Sequence, residues 1–180
     1  APLGYHGYPK SICTSVNHVI CHGIPSDKKL KNGDIVGIDI SLRTKKGYYG
    51  DSCKTYIIGK PSIRAKRLVQ VAQECLYLSI KKVKPGVRLK SISAFIEAHA
   101  VKNHCSVVRE FCGHGIGTEL HESGFQVLHY DSKDAEDILL EPGLTFTIEP
   151  MINFGKPGCK VLPDGWTAVT KDRRPITFCA

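Results

Sequence analysis

The feature that most limits how this chain can fold is a pair of strand-like segments separated by a short turn. Residues 34–43 and 48–58 are rich in β-branched and aromatic side chains, and a Lys-Lys-Gly turn at 45–47 lies between them. This arrangement predicts an antiparallel β-hairpin. Because side chains alternate along a strand, Asp39 projects from the face opposite to the apolar residues of the first strand.

The predicted hairpin carries two aspartates, Asp39 in its first strand and Asp51 in its second. They are almost equidistant from the turn, so we expect them to face each other with Cβ atoms about 5 Å apart. Two carboxylates at that separation repel each other, and a divalent cation between them would relieve the repulsion. The pair is therefore a candidate metal site; the alternative is that one aspartate is an ordinary turn or surface residue.

The rest of the chain alternates between helix-like and strand-like segments. Apolar residues recur with helical spacing in residues 61–83, where Ser62 is a candidate N-cap, and in residues 89–102. The remaining strand-like segments are residues 11–22, 106–111, 144–153 and 167–170. A strand hairpin followed by helices and further strands predicts an α+β fold in a single domain, residues 1–180.

Composition sets broad limits on function. No apolar run approaches about 18 residues, so we expect no membrane-spanning helix. The net charge of +8 suits work beside nucleic acid, such as a ribosome, but also fits an ordinary solvated basic surface. The eight cysteines form no Cys-x-x-Cys pair, which favours a reducing compartment over a secreted disulfide framework.

A third carboxylate and three histidines are further candidates for a site. Glu149 alternates with the apolar residues of its strand-like segment. His114 lies among three glycines, which let backbone or ligand approach closely, and we interpret it as a ligand in a tight loop. His121 follows seven positions later, and His22 lies in Cys-His-Gly-Ile-Pro. The Gly-x-Gly-x-Gly spacing argues against a dinucleotide-binding loop. Four further histidines are interpreted as surface or packing residues: His18, His99, His104 and His129.

Seven segments, in order along the chain, resemble the methionine aminopeptidases: LGYHGYPKSICTSVN, VICHGIP, GDIVGIDISL, GYYGDSCKTYIIG, VVREFCGHGIGTELHE, LEPGLTFTIEPMI and LPDGWTAVTKD. The resemblance runs from Pro2 to about Arg173, nearly the whole chain. The 35 positions that separate His114 from Glu149 leave no room for the helical insertion of the type II branch. The resemblance is therefore to the type I branch.

The resemblance implies a pita-bread fold, in which two pseudo-symmetric halves surround a curved antiparallel sheet that holds two divalent metal ions (Co, Mn, Fe or Zn). The metal ligands that it implies are Asp39, Asp51, His114 and Glu149. The catalytic residues that it implies are His22, His121 and Glu149. The residues that it places against the substrate are Tyr5, His6, Tyr8, Cys13, His22, Leu120, His121 and Trp166.

The resemblance also implies an activity, which is removal of the initiator methionine from nascent proteins by attack of a metal-bridging hydroxide. The expected substrates are N-terminal peptides, and the expected state is a monomer that does not bind membranes. A cytoplasmic location is expected, or an organellar one if a transit peptide has been removed. Ribosome association is a further expectation.

The resemblance weakens at both ends of the chain. The family's fifth ligand, a glutamate that bridges both metals, is expected at position 180, where the residue is Ala180. Relatives also carry about one further helix and strand before Leu3, so we expect a domain truncated at both ends, with a weakened second metal site. Two alternatives stay open: a non-catalytic pita-bread binding module, and a fold relative that cleaves X-Pro bonds.

Overall fold

The computed structural model describes residues 3–178, which form two α-helices, a short 3₁₀ helix at Tyr5–Gly7 and eleven β-strands. The helices are α1 (Ile63–Ile80) and α2 (Leu89–Lys102). The strands are β1 (Cys13–Val16), β2 (Val19–Cys21), β3 (Ile35–Arg43), β4 (Tyr49–Ile57), β5 (Ser106–Val107), β6 (Gly113–Gly115), β7 (Glu122–Val127), β8 (Met151–Asn153), β9 (Cys159–Val161), β10 (Ala168–Thr170) and β11 (Ile176–Phe178). The predicted α+β class is confirmed.

The predicted hairpin is formed by β3 and β4, and β1 pairs with the other edge of β3, so the sheet has the order β1–β3–β4. Gly47 in the connecting turn has a φ of 90°, a conformation that glycine adopts without a steric penalty. The hairpin therefore follows from local sequence, as the alternating pattern and the turn indicated.

The register of this hairpin corrects the expectation that the two aspartates face each other. Asp39 pairs with Cys53, and Asp51 pairs with Ser41. The turn is centred on Lys46, the middle of the predicted turn, but Asp39 lies seven positions before that centre and Asp51 five positions after it, so the two are not equidistant. The aspartates are consequently diagonal neighbours on one face of the sheet, a relation that separates Cβ atoms by about 7 Å.

Both predicted helices are present, and α1 is shorter than residues 61–83. Ser62 caps α1, since its hydroxyl accepts the backbone N–H of Ala65 at 3.1 Å. Pro85 follows the end of α1 closely and excludes a longer helix. The buried faces of the two helices form the larger core with residues from the strands, including Leu68, Val71, Ala72, Cys75, Leu89, Ile92, Ile96 and Ile152.

Two strands are shorter in the structure than the sequence predicted. Residues 106–111 yield only β5, because the backbone N–H of Arg109 donates to the Glu110 carboxylate rather than to a neighbouring strand. Residues 144–153 yield only β8 and an isolated bridge at Phe146. Pro150 interrupts this segment, since proline has no N–H to donate.

Three smaller groups of strands complete the fold: β2–β10–β9, β11–β8–β5 and β6–β7. The hydroxyls of Thr55 in β4 and Thr177 in β11 hydrogen-bond at 2.6 Å, which joins the hairpin to the β11–β8–β5 sheet. Neither helix in residues 3–178 has the length and apolar character needed to span a membrane. The cysteines within these residues form no disulfide.

Candidate active site

Three side chains from separate segments meet in the interior. Donor atoms of Asp51, His114 and Glu149 all lie within 4.8 Å of one another. The Nε2 atom of His114 lies 3.2 Å from Oε1 of Glu149 and 3.7 Å from Oδ2 of Asp51. One imidazole nitrogen and two carboxylates within this distance match the ligand set that divalent transition metals prefer.

His114 is held with its Nε2 atom facing the carboxylates. Its Nδ1–H donates to the carbonyl of Gly115 at 2.9 Å, which leaves the lone pair of Nε2 for a metal ion. The residue lies in β6 rather than in the predicted tight loop. The neighbouring glycine is required, because a Cβ on Gly113 would lie 2.3 Å from the carbonyl oxygen of Thr147.

Hydroxyl groups orient the two carboxylates. Ser41 donates to Oδ1 of Asp51 at 3.0 Å. Thr147 donates to Oε1 of Glu149 at 2.5 Å and accepts the backbone N–H of His114 at 2.9 Å. Thr147 therefore connects two members of the cluster, and it confirms that Thr147 and Glu149 share a face of their segment.

Asp39 is the fourth predicted ligand, and the structure places it beside the same cluster. Burial, followed by repulsion from Asp51 and Glu149, raises the pKa of Asp39 to about 8. Cys13 lies opposite Asp39 in β1, and its thiol partly offsets this rise in the pKa of Asp39. A bound cation would stabilise the ionised form of a carboxyl group that otherwise resists ionisation among other carboxylates.

The pKa of His114 is also raised, and for a histidine a raised pKa favours the charged form. Burial alone would lower the pKa of His114, but its interactions with the carboxylates of Asp51 and Glu149 raise this pKa to about 10. A proton on the imidazole therefore supplies positive charge between the two carboxylates when nothing else does. The residues present fit a divalent cation, because it would replace that proton and reduce the repulsion at Asp39.

The cluster forms one side of a cavity of about 480 Å³. The predicted site residues that line this cavity are Tyr5, Tyr8, Cys13, His22, Asp39, Asp51, His114, Leu120, His121, Glu149 and Trp166. His6 is the predicted site residue that does not line it. His6 is exposed beside Tyr5, with ring centroids 4.4 Å apart, and its contact with a substrate stays a prediction.

Two histidines flank the candidate metal ligands inside the cavity. The ring of His121 lies 4.1 Å from that of His114, and Nδ1 of His121 hydrogen-bonds with the Tyr5 hydroxyl at 2.5 Å. His22 packs edge-on against Phe111 and Trp166. Burial lowers the pKa of both His22 and His121, so both rings are neutral near neutral pH.

Sequence reasoning missed several residues of the site. Phe111, Cys112 and Met151 line the cavity, but no pattern distinguishes them from ordinary core residues. His129, interpreted as a packing residue, is fully buried and accepts the backbone N–H of Glu149 at its Nε2 atom, at 2.9 Å. Burial lowers the pKa of His129 to about 4. For Thr147 a signal existed, since it alternates with Glu149.

The position expected for a fifth ligand, Ala180, lies outside the described residues. The nearest described strand is β11, which pairs antiparallel with β8. Ile176 pairs with Asn153 and Phe178 with Met151, so the register advances toward Glu149. The expectation that the family's fifth ligand falls at position 180 stays a prediction.

Comparisons with known proteins show the family of the chain. The model of metallopeptidase family M24 matches residues 2–171. The chain is 55% identical to the methionine aminopeptidase of Escherichia coli (strain K12) over 174 residues, which are 96% of this chain and 65% of that enzyme. The chain therefore spans slightly less than two thirds of the length of that relative.

Solved structures give the same result. The methionine aminopeptidase of Rickettsia prowazekii superposes with a TM-score of 0.93 at 44% identity, and that of Thermotoga maritima with a TM-score of 0.94 at 40% identity. Each comparison covers 99% of this chain and 71% of the other. The resemblance to methionine aminopeptidases and the pita-bread fold that it implied are confirmed. The chain belongs to metallopeptidase family M24.

Proposed function

We propose that this chain catalyses the metal-dependent removal of an N-terminal methionine from peptides, as its relatives' names indicate for them. The observation that carries the proposal is the convergence of Asp51, His114 and Glu149 on one side of a cavity lined by aromatic side chains. The similarity to methionine aminopeptidases supports the same reaction. The roles of individual residues follow from their contacts.

The site residues would hold two divalent ions. The first ion would be held by Asp51, His114 and Glu149, and the second by Asp39 and Asp51. Mn, Fe, Co and Zn all suit a mixture of imidazole and carboxylate ligands. When bound, such an ion lowers the pKa of a coordinated water and polarises a carbonyl group. Without a glutamate at position 180, Asp39 and Asp51 alone would hold the second ion, which we expect to bind less tightly.

Glu149 and His121 would act on the scissile amide. Glu149 would accept a proton from water at its carboxylate and transfer it to the leaving amine. The Tyr5 hydroxyl hydrogen-bonds to Nδ1 of His121; with Tyr5 as the donor, the ring would carry its proton on Nε2, from which it would donate to the oxygen of the carbonyl under attack. His22, which packs against Trp166 and feels the charges of Glu149 and Asp51, would contact the substrate amine and the leaving group.

The cavity suits the methionine side chain. Tyr8 and Trp166 pack edge-on with ring centroids 5.1 Å apart, and the Tyr8 hydroxyl is held by the Gly23 carbonyl at 3.0 Å. Cys13 and Leu120 add buried apolar surface. Sulfur of an unbranched thioether makes favourable contacts with aromatic rings, so we infer that this group of side chains selects methionine.

The natural substrates would be the N-terminal peptides of nascent proteins. The net charge of +8 supports work beside the ribosome, whose RNA is acidic. A monomer in the cytoplasm, or in an organelle, is the corresponding expectation. Sedimentation with purified ribosomes at low and high salt tests this association, because an electrostatic contact weakens as salt screens it.

The test of the activity is methionine release from a Met-Gly peptide with Mn²⁺ or Co²⁺, compared with Asp51→Asn. The proposal expects release that the variant lacks. A parallel panel of X-Pro peptides tests the alternative activity, for which we expect no cleavage. A folded wild-type protein that binds metal but releases no methionine would contradict the proposal and favour the non-catalytic binding module.

A further inference from the structure

We propose that His129 is a positioning residue that holds Glu149 in its metal-ligating orientation through the backbone. The inference rests on the metal site proposed above and assigns a role to a residue that lies outside the ligand set. His129 follows β7 by two residues and is completely buried. It touches Glu149 at the backbone N–H rather than at the carboxylate.

The contact is a hydrogen bond with one possible direction. The backbone N–H of Glu149 donates to Nε2 of His129 at 2.9 Å. Because a backbone N–H cannot accept, Nε2 must carry the lone pair, and the proton of the neutral ring lies on Nδ1. The imidazole thus takes the place that a strand carbonyl would have in a regular sheet.

A substitute for a carbonyl is needed here because the segment is not a regular strand. Upstream, the Thr147 N–H donates to the His114 carbonyl at 2.8 Å. Downstream, Pro150 has no N–H, and β8 begins only at Met151. Proline also restricts Glu149, the residue before it, to extended backbone. His129 and Pro150 therefore fix Glu149 from its two sides.

Fixing the backbone fixes the carboxylate. Oε1 of Glu149 must meet both the Thr147 hydroxyl at 2.5 Å and Nε2 of His114 at 3.2 Å. Both partners are themselves hydrogen-bonded to the backbone of β6: the Thr147 hydroxyl accepts the His114 N–H, and the His114 ring donates to the Gly115 carbonyl. A rotation of the Glu149 backbone would carry its carboxylate away from these contacts, so the His129 bond acts on the ligand without touching the metal.

One nitrogen atom of the His129 ring is unfavourable for stability, so the presence of a histidine at this position needs an explanation. Within residues 3–178, Nδ1 of His129 is buried and has no hydrogen-bond partner. A buried donor without a partner lowers stability, and an apolar side chain of similar size would avoid that loss. A histidine placed here for packing alone would be a poor choice, whereas one placed to accept the Glu149 N–H is explained.

The experiment compares Mn²⁺ affinity by titration calorimetry in the wild type, His129→Leu and His129→Gln. Leucine fills the space without an acceptor, whereas glutamine restores an acceptor at a similar reach. We expect leucine to weaken Mn²⁺ binding about 10- to 100-fold, the range typical of residues that orient metal ligands, and glutamine to recover most of the affinity. Equal affinity in all three proteins would overturn the inference and leave the metal site intact.

Two controls separate positioning from general destabilisation. Leu68→Ala removes a fully buried side chain of α1 and should lower the denaturation midpoint without changing Mn²⁺ affinity. In a Glu149→Gln background, His129→Leu should weaken binding no further, because its effect passes through Glu149. Additive effects would contradict the inference. Absence of Mn²⁺ binding by the wild type would overturn the proposed site itself.

Discussion

At the scale of single residues, the site is organised by groups that carry or exchange protons. His114 donates from Nδ1 to a carbonyl and directs Nε2 at two carboxylates. Thr147 joins His114 to Glu149 through one hydroxyl. Such contacts around a ligand set its orientation and its basicity, so small polar changes next to the ligands should alter metal binding.

Metal binding should release protons. The pKa of Asp39 is raised to about 8 and that of His114 to about 10, so both groups hold a proton near neutral pH in the metal-free protein. A metal ion binds their deprotonated forms, so affinity should fall as pH falls below these values and rise as pH approaches them.

Titration calorimetry in buffers of different ionisation enthalpy measures this release. We expect up to about two protons per protein as the sites fill, and fewer with His114→Gln. The same enthalpy in every buffer would show that no proton leaves, and would contradict the protonation states assigned here.

Tyr5 should affect catalysis rather than binding. Its hydroxyl hydrogen-bonds to Nδ1 of His121 and orients the ring, so Tyr5→Phe should lower kcat for Met-Gly peptides by about tenfold, a fraction of what a positioned acid–base group supplies. KM should change little, because the aromatic ring remains. A change confined to KM would instead place Tyr5 only in the methionine pocket.

At the scale of elements, the backbone of β6 lies very close to the segment that carries Glu149, and this closeness brings His114 next to Glu149. Gly113 permits this approach. Sequence reasoning recognised the glycines as allowing close contact, but it expected a loop, since a three-residue strand has too few side chains to show an alternating pattern. The long hairpin was predictable, because nine residues in each strand are enough to show an alternating pattern.

Gly113→Ala should displace β6, because its Cβ would lie 2.3 Å from the Thr147 carbonyl oxygen. We expect a loss of about 1–3 kcal/mol in the free energy of unfolding, as for other overpacked sites. Urea unfolding of the metal-free protein measures it. Gly50→Ala in β4 is the matched control, since no atom lies within 4 Å of its added Cβ. An equal loss in both variants would refute the steric explanation.

At the scale of the whole molecule, the site exists only where distant segments meet. Local patterns predicted which carboxylates and histidines were candidates, and family resemblance predicted their roles. The turn predicted at residues 45–47 already implied the hairpin register, in which Asp39 and Asp51 are diagonal neighbours because they lie seven and five positions from Lys46. Local patterns could not assign His129 to Glu149, since the contact joins residues 20 positions apart through an irregular segment.

Position 180 offers a test of the missing fifth ligand. Because β11 advances along β8 toward Glu149, Ala180→Glu should add a carboxylate ligand and raise affinity for the second metal ion. Calorimetry with Mn²⁺ should show tighter binding or a higher stoichiometry, whereas Ala180→Gln should show a smaller gain. Identical binding by all three proteins would mean that position 180 does not reach the site.

The measurement that tests the central claim most directly is the location of bound zinc, by anomalous diffraction from crystals grown with Zn²⁺. The account predicts a zinc ion about 2.0–2.2 Å from Nε2 of His114 and from carboxylate oxygens of Asp51 and Glu149. Zinc bound elsewhere, for instance by cysteine thiolates, with no density among these three side chains would contradict it.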